Sequence, residues 1–587
     1  MTDARTAWKG LVAKALAEEM AERVPGAAAP SSDEIVIETP PDQAMGDLGF
    51  PMFAMAKRLR AAPPAIAQSL AARIAAMPEA AAFGRAAAQG PYLNVHLARA
   101  PEIEAILDKA RAATWGQTAG MAGRKVMVEF SSPNTNKPLH LGHLRNNVLG
   151  ESVARILGAA GAEVRKINHI NDRGIHICKS MLAYMKRGEG RTPEDEGLKS
   201  DHFVGKYYVL FNELKAENKD IETEAQELLL KWEAGDPSTR DLWKRMNEWA
   251  VGGIGKTYAR TGISFDLYDF ESDTYELGRR YVLEGLEKGI FFKAEDGSIQ
   301  VNLEDVGLDT KVLLRKDGTS IYITQDIGTA IDRHESWPYD KLIYVVASEQ
   351  QYHFKVLFEV LRRLGFDWAR DLHHLSYGLV NLPSGRMKTR EGTVVDADDL
   401  IDELAKLAAA EIEAKGREES VGDLVSVSEK IALGALHYYL LQTAPTKDML
   451  YDPEASLSFA GDTGPYIQYM GARASSIIRK AAKGEGRHLE GSLRPSKLES
   501  EADWALVRLV AAFPEAIEAA ASKLDPSIIA TYLHDLAQGF STWYRDNPVL
   551  SNPDADLAAS RLELVRAVRS TLEAGARLAC IPFLEAM

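Results

Sequence analysis

Residues 125–170 read KVMVEFSSPNTNKPLHLGHLRNNVLGESVARILGAAGAEVRKINHI, and the periodicity within them decides the fold. KVMVEF is a short apolar run bounded by a polar loop, the pattern of a buried strand. From Leu141 the period lengthens. Leu144, Val148, Ser152, Ile156 and Ala160 recur every four residues beside Val153 and Leu157, giving a helix an apolar stripe. Gly161 then suits the helix C-terminus. EVRKINHI returns to strand composition, so the stretch is a βαβ unit. The loop between strand and helix ends in HLGH, residues 140–143, at the first helical turn. Unpaired backbone N–H groups and the helix dipole make that end attractive to an anion, and Gly142 lets a ligand approach the backbone closely. His140 and His143 can donate to phosphate oxygens, and Lys137 adds a fixed cation nearby. A histidine at a helix start also serves as a cap or packs; the full stretch points to an ATP site.

Outward from this unit, KLIYVVAS and HHLSYGLVNL supply later strands. The charged residues near 180–260 read as a helical insertion between the two sets. Asp-Gly turns in AEDGSI and RKDGTS predict hairpins. SIYIT, after the second turn, reads as a strand ending where Asp326 opens a helical pattern. Residues 1–110 are Ala-rich, punctuated by ETPPDQ, AAPP and QGPY, and read as a small α+β domain, which either binds a ligand or merely packs. After about residue 425 strand signals cease and long helical patterns follow. The expected class is α/β: a Rossmann-like parallel-sheet domain over 111–415 with the insertion near 180–260, a small N-terminal α+β domain over 1–110, and an all-helical C-terminal domain over 425–587.

A chain of 587 residues exceeds one compact core and favours several domains. Hydrophobic residues at 46% and charged residues at 26% fit a globular protein, and no unbroken apolar stretch is long enough to span a bilayer. The opening MTDARTAWKG lacks a secretory signal's apolar run, so cytoplasmic residence is expected. Cys178 and Cys580 lie far apart, which excludes a disulfide framework or a Cys-based zinc cluster and leaves two buried thiols as the expectation. The net charge of −15 opposes indiscriminate binding to polyanions, so any nucleic-acid contact must be a local patch.

HLGH resembles the HIGH signature of class I aminoacyl-tRNA synthetases, and EFSSPNTNKPLHLGHLRNN is similar to its arginyl-tRNA synthetase version. LPSGRMKTREG follows HHLSYGLVN where the family's second signature, KMSKS, is expected. NHINDRGIHICKSMLAY, SIYITQDIG, SEQQYHF, DTGPYIQYMGAR and YLHDLAQGFSTWY extend the resemblance over nearly the whole chain. One departure matters: Arg386 and Thr389 stand where KMSKS has lysines, and the loop keeps its cations at Lys388 and Arg390. The resemblance therefore moves attention to Lys137, which would help neutralise the transition state at the α-phosphate.

A guanidinium substrate needs carboxylates for its planar fork of donors. On pattern alone Asp326 is equally an N-cap, Glu129 a strand-end surface charge, and Tyr322 a cross-strand packing residue in the hairpin. The resemblance implies more: Tyr322 and Asp326 on the guanidinium side, and Glu129, Ser131, Asn134, His140 and Gln350 around the amino acid. It puts Gly142, His353, Gly378, Arg386, Met387 and Thr389 on the ATP side, and Lys137, His140, His143, Lys388 and Arg390 in the chemistry. It implies ATP with Mg2+, although no carboxylate cluster suggests a metal cage, and L-arginine and tRNA(Arg) as partners, no membrane, and a monomer. The amino acid would pass to the 2′-hydroxyl of the terminal adenosine, with tRNA bound before activation. The N-terminal domain would meet the outer corner of the tRNA, and the helical domain its anticodon. There Tyr532, Phe540, Trp543 and Tyr544, or Tyr466, Gln468, Tyr469 and Arg473, either stack on bases or form core. Alternatives are another ATP-using enzyme with a related nucleotide site and a non-catalytic tRNA-binding paralogue.

Overall fold

The computed structural model describes residues 2–382, 385–386, 395–416, 421–485 and 491–587. The chain divides into two compact units, one formed by Met1–Trp115, Met470–Pro514 and Asp535–Ala574, the other by Gly116–Tyr469, Glu515–His534 and Gly575–Met587. In the first, strands β1 (Leu48–Pro51), β2 (Gly84–Gln89) and β3 (Tyr92–Leu97) make an antiparallel sheet in the order β1-β3-β2. Helix α2 (Pro63–Ala75) packs on this sheet and α1 (Thr2–Arg23) on α2. Prolines open α2, where a missing N–H costs nothing.

In the second unit β4 (Lys125–Glu129), α3 (Leu141–Ala159) and β5 (Glu163–Ile170) form the expected βαβ unit, with Lys125 parallel to Glu163. The stripe read from the sequence, Leu144, Val148, Ser152, Val153, Ile156 and Leu157, is buried, and so are Arg145, Asn146, Asn147 and Glu151 on the other sides of α3. Gly161, at φ +99°, lets the Ala162 N–H turn back to the Leu157 carbonyl at 3.0 Å and close the helix end.

Four longer helices follow, with a single turn at Pro193–Glu196 between the first two: α4 (Ile175–Arg187), α5 (Ser200–Glu217), α6 (Ile221–Glu233) and α7 (Pro237–Thr261). They form the insertion around their own core, in which Tyr184, Phe203, Tyr207 and Trp249 meet edge to face. Strand β6 (Leu267–Phe270) then joins β5, and β7 (Phe292–Lys293), β8 (Ile299–Val301) and β9 (Lys311–Leu314) form a small antiparallel sheet. Both Asp-Gly turns are present, with Gly297 at φ +90° and Gly318 at +78°. SIYIT, however, does not continue as a strand. Helix α8 (Tyr322–Ser336) begins at Tyr322, where the Thr324 hydroxyl accepts from the Ile321 N–H at 3.1 Å. Gly328 then lets the helix lie against Gly278, since a Cβ there would sit 2.2 Å from the Gly278 nitrogen. Asp326 is therefore one turn inside the helix and not its cap, and Tyr322 has no cross-strand neighbour.

Strands β10 (Lys341–Ala347) and β11 (Leu372–Tyr377) flank helix α9 (Gln351–Arg363) and complete a parallel sheet in the order β11-β10-β4-β5-β6. Met127, Ile167, Leu342, Ile327, Leu357 and Val360 belong to the core that joins this sheet to α8 and α9. Beyond it lie β12 (Val380–Leu382), β13 (Gly385–Arg386) and the helices α10 (Ala397–Ala414), α11 (Leu424–Leu441), α12 (Gly464–Ala482), α13 (Glu501–Ala511), α14 (Phe513–Lys523), α15 (Ser527–Asp546) and α16 (Ala555–Leu578). One short strand interrupts the helical segment: β14 (Met449–Leu450) pairs with β12, an interaction too short to leave a sequence signal. Among the described residues no helix is long and apolar enough to cross a membrane. Cys178 and Cys580 are buried free thiols, and burial pushes both up to about 12.

Candidate active site

The order of the parallel sheet reverses at β4, with β5 on one side and β10 on the other, and open α/β sheets bind ligands in the crevice at such a point. A cavity of about 410 Å³ lies there. It is lined by Ser131 and Ser132 after β4, by His140, Gly142, His143 and Asn146 at the start of α3, by the end of β10, and by Glu349 and Tyr377. Ser131 and Ser132 have φ of +75° and +46°, a left-handed conformation that costs residues with a Cβ about 1 kcal/mol or more each. Side chains from elsewhere hold them there. The Ser131 N–H donates to Asn146 Oδ1 at 2.5 Å, the Ser132 N–H to Asn168 Oδ1 at 3.1 Å, and the Ser131 hydroxyl meets the Tyr258 hydroxyl at 2.6 Å. Asn146 Nδ2 also donates to the Val345 carbonyl at 2.7 Å and to the Tyr377 hydroxyl at 3.2 Å, tying the loop to β10 and β11. Tyr258 lies 127 residues from Ser131, so no local pattern marks it.

The capping reading of His140 holds. Its Nδ1 caps α3 by accepting from the Gly142 N–H at 3.1 Å, while His143 Nδ1 accepts from the His140 N–H at 3.1 Å. A ring nitrogen that accepts carries no proton, so in each neutral imidazole the proton sits on Nε2. Burial, reinforced by Lys137, lowers His140 to about 4. Burial, with His140 beside it, takes His143 well below its usual value. The rings lie 3.8 Å apart, centroid to centroid. Near neutral pH the helix start thus presents two uncharged Nε2–H donors, its own dipole and the half-buried Lys137 ammonium, whose charge burial disfavours. This set suits an anion that brings its own charge.

A second group forms at the first turns of α8 and α9. Tyr322, 74% exposed, and Asp326 share one face of α8. Asp326 Oδ2 lies 2.5 Å from His353 Nε2. Gln350 is exposed and immediately precedes α9. Glu271, buried after β6, neighbours Gln325 and Asp326, and burial raises its carboxyl to about 7. Deeper along α8, the buried Arg333 engages the Glu129 carboxylate through Nη1 and Asp269 Oδ2 through Nε at 2.7 Å. Glu129 is therefore not a surface charge. No local pattern marks Arg333, because its neighbours at helical spacing, Asp326, Thr329, Ala330 and Ser336, form no apolar stripe.

The other expected residues separate. Asn134 is exposed and pairs by backbone with Asn171. Gly378 answers a packing need: a Cβ there would lie 2.3 Å from the carbonyl carbon of Lys447, whereas its neighbours Tyr377 and Leu379 line the cavity. Arg386 falls in β13, and Met387, Lys388, Thr389 and Arg390 lie outside the described residues. Of the aromatic candidates, Tyr532, Phe540 and Trp543 are core, and the Trp543 indole donates to Asp503 at 2.8 Å. Gln468 is buried and donates to the carbonyls of Lys430 and Pro582, each at 2.8 Å. Tyr466, Tyr469, Arg473 and Tyr544 stay partly exposed, with the Arg473 guanidinium 5.0 Å from the Tyr544 ring centre. On the N-terminal sheet a cavity of about 280 Å³ is lined by Pro40, Met45, Gln89, Tyr92 and Asn94.

Three family models match the chain: "tRNA synthetases class I (R), catalytic domain" over residues 102–452, "DALR anticodon binding domain" over 467–587, and "Arginyl tRNA synthetase N terminal domain" over 7–97. The arginine–tRNA ligase of Treponema denticola is 53% identical, and that of Treponema pallidum subsp. pallidum 51%, each alignment covering 100% of both chains. The structure of Thermus thermophilus arginyl-tRNA synthetase superposes with a TM-score of 0.78 at 29% identity, over 99% of this chain and 100% of that one. The chain belongs to the arginyl-tRNA synthetase family of class I.

Proposed function

We propose that the chain is an arginine–tRNA ligase that activates L-arginine with ATP at the α3 cavity and transfers it to tRNA(Arg). The observation that carries the reading is the pair of neutral, backbone-oriented histidines at the helix start, joined to an acidic group on α8 within a chain of this family. The arginine carboxylate attacks the α-phosphorus of ATP, and the bond to the bridging oxygen breaks to release pyrophosphate. The 2′-hydroxyl of the terminal adenosine then attacks the arginyl carbonyl, losing its proton as AMP leaves. Such transfers rely on positioning and charge stabilisation, for which fixed N–H donors are suited.

In this reading His140 and His143 donate through Nε2 to the phosphate, Gly142 and the helix start receive the triphosphate, and Lys137 offsets charge at the α-phosphate. Lys388 and Arg390, with Arg386, Met387 and Thr389 beside them, complete the nucleotide side. Asp326 takes the guanidinium, with Tyr322 on the same face. The nearby buried Glu271 carboxyl supports a pocket suited to a cation. Ser131, Asn134, Gln350 and Glu129, the last oriented by Arg333, surround the rest of the amino acid. His353, paired with Asp326, joins this end to the nucleotide side, bordered by Gly378. Mg2+ is assigned to the nucleotide, since the cavity lining offers one carboxylate, Glu349, and no step above depends on it.

For tRNA, Tyr92, Asn94 and Gln89 suit an unpaired base, one by stacking and two by amide hydrogen bonds, and Arg473 with Tyr544 offers a comparable platform for the anticodon. Cytoplasmic residence, a monomeric state and activation only with tRNA bound belong to the same reading. The test is charging: labelled arginine should become acid-precipitable with ATP and tRNA(Arg). No charging by the folded protein overturns the reading.

A further inference from the structure

The insertion packs against the loop that leads into HLGH. Helix α5 passes the loop before HLGH so closely that a Cβ on Gly205 would lie 2.7 Å from Cδ of Pro138. The turn is also backed by residues 395–397. The Leu141 N–H donates to the Val395 carbonyl and the Ala397 N–H to the Leu139 carbonyl, each at 3.0 Å, which sets His140 opposite Asp396. The backbone of His140 is thus fixed by whatever fixes the start of α10.

The insertion fixes it. Asp396 caps α10, accepting from the N–H groups of Asp398 at 2.9 Å and Asp399 at 3.2 Å, and faces His202 Nε2 at 3.2 Å. Asp398 Oδ2 accepts from Lys199 Nζ at 2.7 Å and from the Thr257 hydroxyl at 2.9 Å, and Oδ1 accepts from Arg260 at 3.3 Å. Lys199 donates as well to Thr257 at 2.6 Å and to the wholly buried Asp201 at 2.9 Å. Asp201, His202 and Asp398 approach one another as ligands of a cation would, and the Lys199 ammonium supplies that charge. A buried ion pair adds little net stability over apolar packing of the same shape, but it fixes one geometry.

Resting on the reading of the cavity as an ATP site, we propose that Lys199, Thr257 and Asp398 are positioning residues for adenylate formation, which hold His140 in register through the start of α10. A misplacement of 1 Å at a reacting group costs on the order of 100-fold in rate, and the path from Lys199 to the HLGH turn is short, running through the Asp398 carboxylate and the backbone of residues 395–398.

The test uses Lys199→Met and Asp398→Asn in the full chain, with arginine-dependent ATP–pyrophosphate exchange measured in the presence of tRNA and normalised to the folded fraction. We expect kcat to fall by about 10- to 100-fold with KM for arginine within about twofold, and Lys199→Arg to restore most of kcat. Unchanged kcat per folded molecule in an otherwise active enzyme overturns the inference, as does a loss carried by KM for arginine. If both variants fail to fold, Thr257→Val decides, since it removes the bridging hydroxyl and leaves the charges paired: a fall of about threefold supports the proposal, and no change overturns it. A parent enzyme without exchange overturns the function reading and this inference together.

Discussion

Replacing Arg333 by Met probes the junction between the arginine side and the strand that leads into the ATP loop. The guanidinium is 4% exposed and serves two carboxylates, Glu129 at 12% and Asp269 at 24%. Methionine fills most of the volume and leaves both acids without their cation. Breaking a buried pair from one side costs about 3–5 kcal/mol, and two stranded acids put Arg333→Met at the upper end of that range. The cost depends on pH in a definite direction. An unpaired buried carboxyl has a folded-state pKa above its unfolded one, so the penalty is full above the raised pKa and disappears below the unfolded value. Urea unfolding of the Met variant should therefore show the full loss at pH 7.5 and a smaller one at pH 5. A loss below about 1 kcal/mol at pH 7.5 refutes the reasoning, and so does an equal loss at both pH values.

Asp326→Asn keeps the shape of the side chain and removes its charge. Since the carboxylate is 38% exposed, solvent screening limits the effect, and KM for arginine should rise roughly 10- to 100-fold with kcat little changed. Lys137→Ala should lower the exchange kcat by about 10-fold or more at unchanged KM for arginine, and an intact rate removes Lys137 from the chemistry. Because burial holds Glu271 near 7, KM for arginine should fall as pH rises through that value and the carboxylate forms beside Asp326. Glu271→Gln should flatten that profile, and a parental profile in the variant excludes the role. His140, lowered by burial to about 4, should impose no loss of exchange between pH 7.5 and 6, where an ordinary histidine gains its proton.

Periodicity made the catalytic half legible where local patterning and tertiary packing agree. The four-residue stripe from Leu144 to Ala160 is buried, although α3 also buries Arg145, Asn146, Asn147 and Glu151, which no apolar pattern marks, and Gly161 takes the left-handed position expected of it. The alternation in SIYIT misleads because Thr324 caps a helix at Ile321 and Gly328 lets that helix pack on Gly278, neither visible in a strand-length window. The HLGH histidines are legible because their chemistry is local. Their supports are not: Tyr258 and Lys199 act from the insertion, Asn168 acts from β5, and Asp396 reaches His140 from a segment more than two hundred residues away. The aromatic run in YLHDLAQGFSTWY has the helical spacing of a core and mostly forms one; Tyr544 is the exception on the outer face.

The most direct test of the central claim is ATP–pyrophosphate exchange with each of the common amino acids in turn, with and without tRNA. The account predicts exchange with arginine alone, and only when tRNA(Arg) is present. Exchange driven by a different amino acid, or by none, would contradict it.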